Sequence, residues 1–314
     1  MRRRGLRLGR GSPPLAQPPV GSPLRAGARQ RTRPSRQGVT ADESAWLDTA
    51  PWGITPRVAE RLQATATEVA HEWGVPLGER LVAGRFSFVA FAGEDAVLKV
   101  VPIEDDEADH EADALELLDG DGAVRLLRRD RARRAILIER ARPGFDASHL
   151  SEREAIRIAV SAARKVWRPA EKGRPFRWIG DLVPRWLDNA GDHYLVRQAK
   201  EIYATMHPGD TTLVHGDFHH HNLLSHGDRW VVIDPKPMVG EPEFDVPTFL
   251  WNPIGHLPTR ESVEVWISAF AEAGLDANLL RKWAIVRGTY QGLPLSRGLT
   301  ADTSPQLRVV RALL

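Results

Sequence analysis

Cysteine is absent from the 314-residue chain. That excludes disulfides, thiol nucleophiles and cysteine-based zinc sites at once, so any catalysis must use carboxylates, histidine, lysine, serine or asparagine. Lysine is scarce, six residues against 37 arginines, which makes a lysine inside an apolar segment conspicuous. No stretch approaches the roughly 18 apolar residues of a membrane span, and the N-terminus lacks the apolar block that a secretory signal carries after its charged start. A soluble, cytoplasmic, monomeric protein with no membrane partner is expected. Acids are missing from the N-terminal region: ten arginines, Arg2 to Arg36, precede the first acid, Asp42. With those ten set aside from the 43 basic residues, 33 face 41 acids, leaving about −8 on the body of the protein. An acidic body argues against a nucleic-acid-binding enzyme and suits a cationic small molecule, although solvated surface acids account for it as simply.

What is present suffices for one sizeable core or two smaller ones, since 42% of the residues are hydrophobic and 10 are Trp. Residues 1–41 mix Arg, Pro, Gly and Ser, bury too little to offset ordering, and read as a disordered basic tail. Globular text starts at Trp46. Thr55 to Trp73 is apolar at helical spacing and stops at Gly74. Short strand-like runs follow at Arg80 to Val82, Phe86 to Phe91 and Ala96 to Val101, then an acidic helix from Glu104 to Leu118. Val124 to Leu127 and Ala135 to Glu139 read as two more strands joined by the charged turn Arg128 to Arg134, and Ala141 to Gly144 as a hinge. Residues 42–143 are thus expected to form a small α+β lobe. Residues 144–314 read as a larger, mostly helical lobe, with Ser151 and Glu154 forming a capping box and helices at Tyr194 to Met206, Arg260 to Phe270 and Ala277 to Val286.

The chemistry concentrates in HGDFHHHNLLSHGDRWVVID, His215 to Asp234. His215, Asp217 and Asn222 fit H-x-D-x-x-x-x-N, the spacing of a kinase catalytic loop. Leu213 and Val214 lead in, and Gly216 allows the tight turn. Asp217 is placed to accept the proton of an attacking hydroxyl, and Asn222 to offer its side-chain oxygen to magnesium. A hairpin turning at His226, Gly227 and Asp228 then delivers Asp234, a second hard-oxygen ligand, behind Val231, Val232 and Ile233. Three residues recur by chance; the apolar hairpin and Asp234 make the combination specific. The run His219 to His221 invites a zinc reading, but adjacent residues in a tight loop point apart and nothing completes a site.

LVHGDFHHHNLL followed by WVVIDPKPMVGEPEFD resembles the aminoglycoside phosphotransferase family, and more narrowly its streptomycin 6-kinase and hydroxyurea phosphotransferase branch, over roughly Gly84 to Asn252. The resemblance implies a two-lobed protein-kinase-like fold, with a small antiparallel-sheet lobe and a larger helical one, and the use of ATP with magnesium. It assigns Asp217 as base, Asn222 and Asp234 as metal ligands, and His215 and Asp245 as braces. Lys99, in AVLKVV, matches the lysine that pairs with nucleotide phosphates, and Glu111 the glutamate that pairs with that lysine; Asp109 and Asp113 are its rivals on the same helix. The adenine is expected against the hinge near Glu139 and Ala141. The phosphate-covering loop departs from the pattern, with one glycine in Gly84-Arg85-Phe86-Ser87.

The expectation is an ATP-dependent phosphotransferase acting on a hydroxyl of a streptomycin-like aminoglycoside or of hydroxyurea. Asp181, Asp188 and Asp192 are candidate docking acids for a cationic substrate, and Lys236 faces either the substrate or Asp234. The rivals are a sugar or amino-alcohol kinase and an inactive nucleotide-binding pseudokinase. A protein kinase fits less well, because Asp234 is followed by Pro235 and Lys236 and no D-F-G or A-P-E element occurs.

Overall fold

In the computed structural model, the described residues are 55–81, 87–106, 108–171, 173, 175–253, 255–295 and 300–314. The expected tail, and residues 82–86 with most of the phosphate-covering loop, lie outside them.

Helix α1, Pro56–Trp73, starts with proline at its first position and stops where Gly74 adopts φ 69°. Strands β1 (Leu77–Arg80), β2 (Phe88–Ala92) and β3 (Ala96–Val100) follow, then α2 (Glu111–Leu118), β4 (Leu126–Asp130) and β5 (Ala135–Glu139). The strands form one antiparallel sheet in the order β1-β2-β3-β5-β4. Strand period two decides what each face carries. Phe88, Ala90, Leu98, Val100 and Leu137 pack under Leu62, Ala66 and Val69 of α1. Val97, Ile136 and Ile138 pack against Leu115 and Leu118 of α2 on the other face. Lys99 shares the parity of Val97 and so is carried to the α2 side.

The acidic helix begins at Glu111, seven residues later than expected from the sequence. Glu104 is instead drawn to Arg61 (2.8 Å) on α1 and Asp106 to Arg177 (3.0 Å), and Ile103 and Glu104 lie in a turn closed by the Asp105 N–H on the Pro102 carbonyl (3.2 Å). The fourth strand starts later than read, at Leu126, and extends to Asp130. The expected hinge is partly strand: β6, Pro143–Asp146, pairs with β9, Leu223–His226, which forms a hairpin with β10, Arg229–Val232.

Beyond β6 the chain is mainly helical. Ser151 and Glu154 form the capping box of α3, Glu152–Val166, which buries Ala155, Ile158, Ala159, Ala162 and Ala163. Strand β7, Arg177–Trp178, is followed by α4, Ile179–Asn189, and α5, Tyr194–Tyr203. Strand β8, Thr212–Val214, pairs antiparallel with β11, Met238–Gly240, which also pairs parallel with β7. Helices α6 (Pro247–Leu250), α7 (Arg260–Glu272), α8 (Ala277–Gly292) and α9 (Pro305–Leu313) complete the lobe. Helix α8 is buried nearly all round, and α9 approaches it so closely that a Cβ on Gly288 would come within 2.8 Å of Val310. No helix of the described residues is long and apolar enough to cross a membrane.

Candidate active site

Strand β8 ends at Val214, and the loop that follows is held by its own backbone. The fully buried Asp245 accepts hydrogen bonds from the His215 N–H (2.7 Å), the Gly216 N–H (2.8 Å) and the Trp167 indole (3.0 Å). Gly216 sits at φ 80°, and a Cβ there would lie 2.1 Å from the Lys236 carbonyl, so only glycine fits the turn. Burial pushes the His215 ring below its usual range against the pull of Asp245 and Asp217, leaving it neutral. The ring then donates from Nε2 to the Ile233 carbonyl (3.0 Å) and accepts the Asp217 N–H at Nδ1 (3.3 Å), which sets its tautomer.

Around this brace the structure brings Asp217, Asn222, Asp234, Lys99 and Glu111 together. The Lys99 ammonium is 2.6 Å from Glu111 Oε2 and 2.6 Å from Asp234 Oδ1. Burial would lower its pKa, but the two carboxylates outweigh that and raise it. Burial likewise pushes Glu111 up, while Lys99 and Lys236 overcome burial at Asp234 and hold it down. At Asp217 burial raises the pKa, but nearby His219 and Lys236 outweigh it and hold the carboxyl well below its usual range. The Asp217 and Asp234 side chains keep 35% and 36% of their surface open, enough to meet a ligand. Asp234 stands two residues beyond β10 rather than at its end, in a left-handed conformation (φ 55°) that turns its carboxylate back to Lys99.

The Asn222 amide donates to the Asp217 carbonyl (2.9 Å), which leaves its oxygen as the outward atom. The three histidines diverge. His219 Nε2 lies 3.6 Å from Asp217, His221 faces Asp146 (3.0 Å), and His220 is buried between Phe249 and Trp266. Of the rival helix acids, Asp109 pairs with Arg134 and Asp113 with Arg129 and Arg131.

Glu139 and Ala141 are not part of that cluster. The Glu139 N–H is donated to the Arg125 carbonyl, and its carboxylate accepts the Arg125 N–H and faces His226. Two of the three candidate docking acids are already engaged on the surface, Asp188 by Lys200 (2.7 Å) and Asp192 by Arg197 (2.5 Å). One residue the sequence did not single out is Arg287. Its guanidinium, buried to 1% exposure, donates to the Phe244 carbonyl (2.6 Å) and the Gly216 carbonyl (2.8 Å) and stacks on the Phe244 ring.

An antiparallel sheet flanked by two helices, a lysine on its third strand paired with a helix glutamate, and a braced H-G-D loop above a helical lobe define a kinase-like fold. Solved structures share it. The choline kinase LicA of Streptococcus pneumoniae matches with a TM-score of 0.60 at 12% identity over 80% of this chain and 98% of its own. The ADP-bound aminoglycoside phosphotransferase APH(2'')-Ib matches with a TM-score of 0.50 at 17% identity over 80% and 98%. The protein is a small-molecule kinase, a phosphotransferase with an alcohol group as acceptor. It belongs to the aminoglycoside/hydroxyurea antibiotic resistance kinase family, whose model matches residues 81–297. It is 32% identical to the hydroxyurea phosphotransferase of Kitasatospora aureofaciens over 75% of this chain and 71% of that one. It is 30% identical to the streptomycin 3''-kinase of Klebsiella pneumoniae over 60% and 76%.

Proposed function

We propose that the protein transfers the γ-phosphate of ATP, with magnesium, to a hydroxyl of a streptomycin-like aminoglycoside or of hydroxyurea, and so confers resistance to it. The observation that carries this reading is the Lys99 ammonium held at 2.6 Å by both Glu111 and Asp234 beside the open carboxylate of Asp217. In it, Asp217 accepts the proton of the acceptor hydroxyl. Lys99, oriented by Glu111, meets the nucleotide phosphates. The donor set fits magnesium: the Asn222 amide oxygen and the Asp234 oxygen not facing Lys99 are hard ligands, and the Asp234 side chain keeps open surface. Bound there, the ion would neutralise charge on the β- and γ-phosphates.

Adenine use is supported by the Ala141 N–H, which has no partner among the described residues, whereas those of Glu139, Arg140 and Arg142 are spent. Adenine against Ala141 would lie where the two lobes divide, near residue 143. A monomer working in the cytoplasm, where ATP is available, fits this role. The test is magnesium-dependent ATP consumption with streptomycin, related aminocyclitols and hydroxyurea, in wild type and Asp217→Asn. Acceleration by one of them, lost in the variant with ATP binding retained, is the expected outcome. Undiminished turnover in Asp217→Asn would sink the assignment of the base, and no acceleration by any acceptor would sink the substrate class.

A further inference from the structure

Two of the chain's six lysines converge on one oxygen: Lys99 and Lys236 stand 2.6 Å and 3.9 Å from Asp234 Oδ1. They are placed differently. Lys99 lies against the back of the site, tied to Glu111. Lys236 is strapped to the loop that carries Asp217, because its N–H donates to the His215 carbonyl (2.8 Å) and its own carbonyl lies against Gly216. Its side chain is 14% exposed, 4.0 Å from Asp105 Oδ2, and close enough to Asp217 and Asp234 to act on both electrostatically.

That position matters for the transfer itself. The acceptor oxygen forms a bond to the γ-phosphorus while the bond from that phosphorus to the β–γ bridging oxygen breaks. The hydroxyl proton goes to Asp217, and ADP leaves with the electron pair. The phosphoryl group in flight carries negative charge on its equatorial oxygens and crosses a gap flanked by two carboxylates, Asp217 and Asp234. A cation fixed beside them lowers the barrier only if it meets the group during transfer. We propose that Lys236 is a catalytic residue whose ammonium contacts the transferring γ-phosphoryl group, a role separate from that of Lys99; this rests on the function proposed above. The competing account is that Lys236 merely offsets Asp105, a carboxylate with 2% exposure that needs a counter-charge.

The experiment compares Lys236→Met, Lys236→Arg and the double variant Asp105→Asn/Lys236→Met. It measures kcat, KM for ATP, thermal stability, and ADP affinity with and without aluminium fluoride, which mimics the phosphoryl group in flight. In Lys236→Met, kcat should fall on the order of 10²-fold, with ADP affinity and KM for ATP within about threefold of wild type. The tightening of ADP by aluminium fluoride should be lost, and Lys236→Arg should restore part of both. Unchanged tightening in Lys236→Met, or recovery of kcat in the double variant, overturns this role alone. Failure of the wild type to bind ADP, or undiminished turnover in Asp217→Asn, overturns the proposed function and this role with it.

Discussion

Arg287 reaches from helix α8 to the carbonyl of Gly216, the residue before Asp217, with a 2.8 Å hydrogen bond from a fully buried guanidinium. Asp245 holds the N–H of the same glycine from the other side. Gly216 is therefore held at both its N–H and its carbonyl, and Arg287 also ties Phe244, next to Asp245, into the same unit. Lysine at 287 would keep the charge but reach one carbonyl rather than two. Arg287→Lys is expected to lose about 1–3 kcal/mol in urea unfolding, the cost of one unmet buried carbonyl. It should also reduce kcat about tenfold with KM for ATP unchanged, because the loop is loosened where proton transfer occurs. A variant with lower stability and undiminished kcat would show that Arg287 packs the lobe without setting the loop.

Asp245 accepts three hydrogen bonds on two oxygens, and two of its three donors are backbone groups that cannot turn away. In Asp245→Asn one oxygen becomes an amino group facing a donor. The substitution is nearly isosteric, so volume cannot explain its effect. Expected are about 2–3 kcal/mol of lost stability, from one buried donor left unmet and one charge-assisted bond removed, and a large fall in kcat. Urea unfolding of the purified variant beside its steady-state kinetics checks both. Stability within experimental error of wild type would show that the loop keeps its turn without the carboxylate.

The parts legible in the sequence were those whose cause is local. H-x-D-x-x-x-x-N declares itself by spacing, the Ser151 and Glu154 box lies within one turn, and α1 stops at a glycine. Lys99 stood out because a lysine inside AVLKVV needs a partner. What stayed hidden depends on distant chain. Arg287 is one of 37 arginines, and its partner Gly216 is 71 residues away. Helix α4 contains Pro184, which removes the donor for the Gly180 carbonyl; that carbonyl is met by the Tyr203 hydroxyl from α5 (3.4 Å). The turn at Ile103 and Glu104 comes with ion pairs to distant Arg61 and Arg177, which periodicity cannot show. Asp188 and Asp192 looked like docking acids because their lysine and arginine partners lie on the next helix, α5.

Glu241 gives the fold a pH dependence that can be tested apart from activity. It follows β11 and accepts hydrogen bonds from the Gly209 N–H and the Trp283 indole (2.6 Å), yet burial outweighs both and raises its pKa from the usual 4.5 to about 7. A carboxyl whose pKa is higher folded than unfolded favours the fold while it is protonated. Its contribution is thus complete below pH 4.5 and is lost as the pH rises through 7. The shift corresponds to about 2–3 kcal/mol after allowance for partial exposure. Glutamine cannot ionise, so Glu241→Gln should flatten the fall in unfolding free energy between pH 5 and pH 8, whatever constant offset its amide introduces. Urea unfolding at unit pH steps measures the two slopes. Parallel curves for wild type and variant would mean that the Gly209 and Trp283 hydrogen bonds balance the cost of burial and leave the carboxyl unshifted.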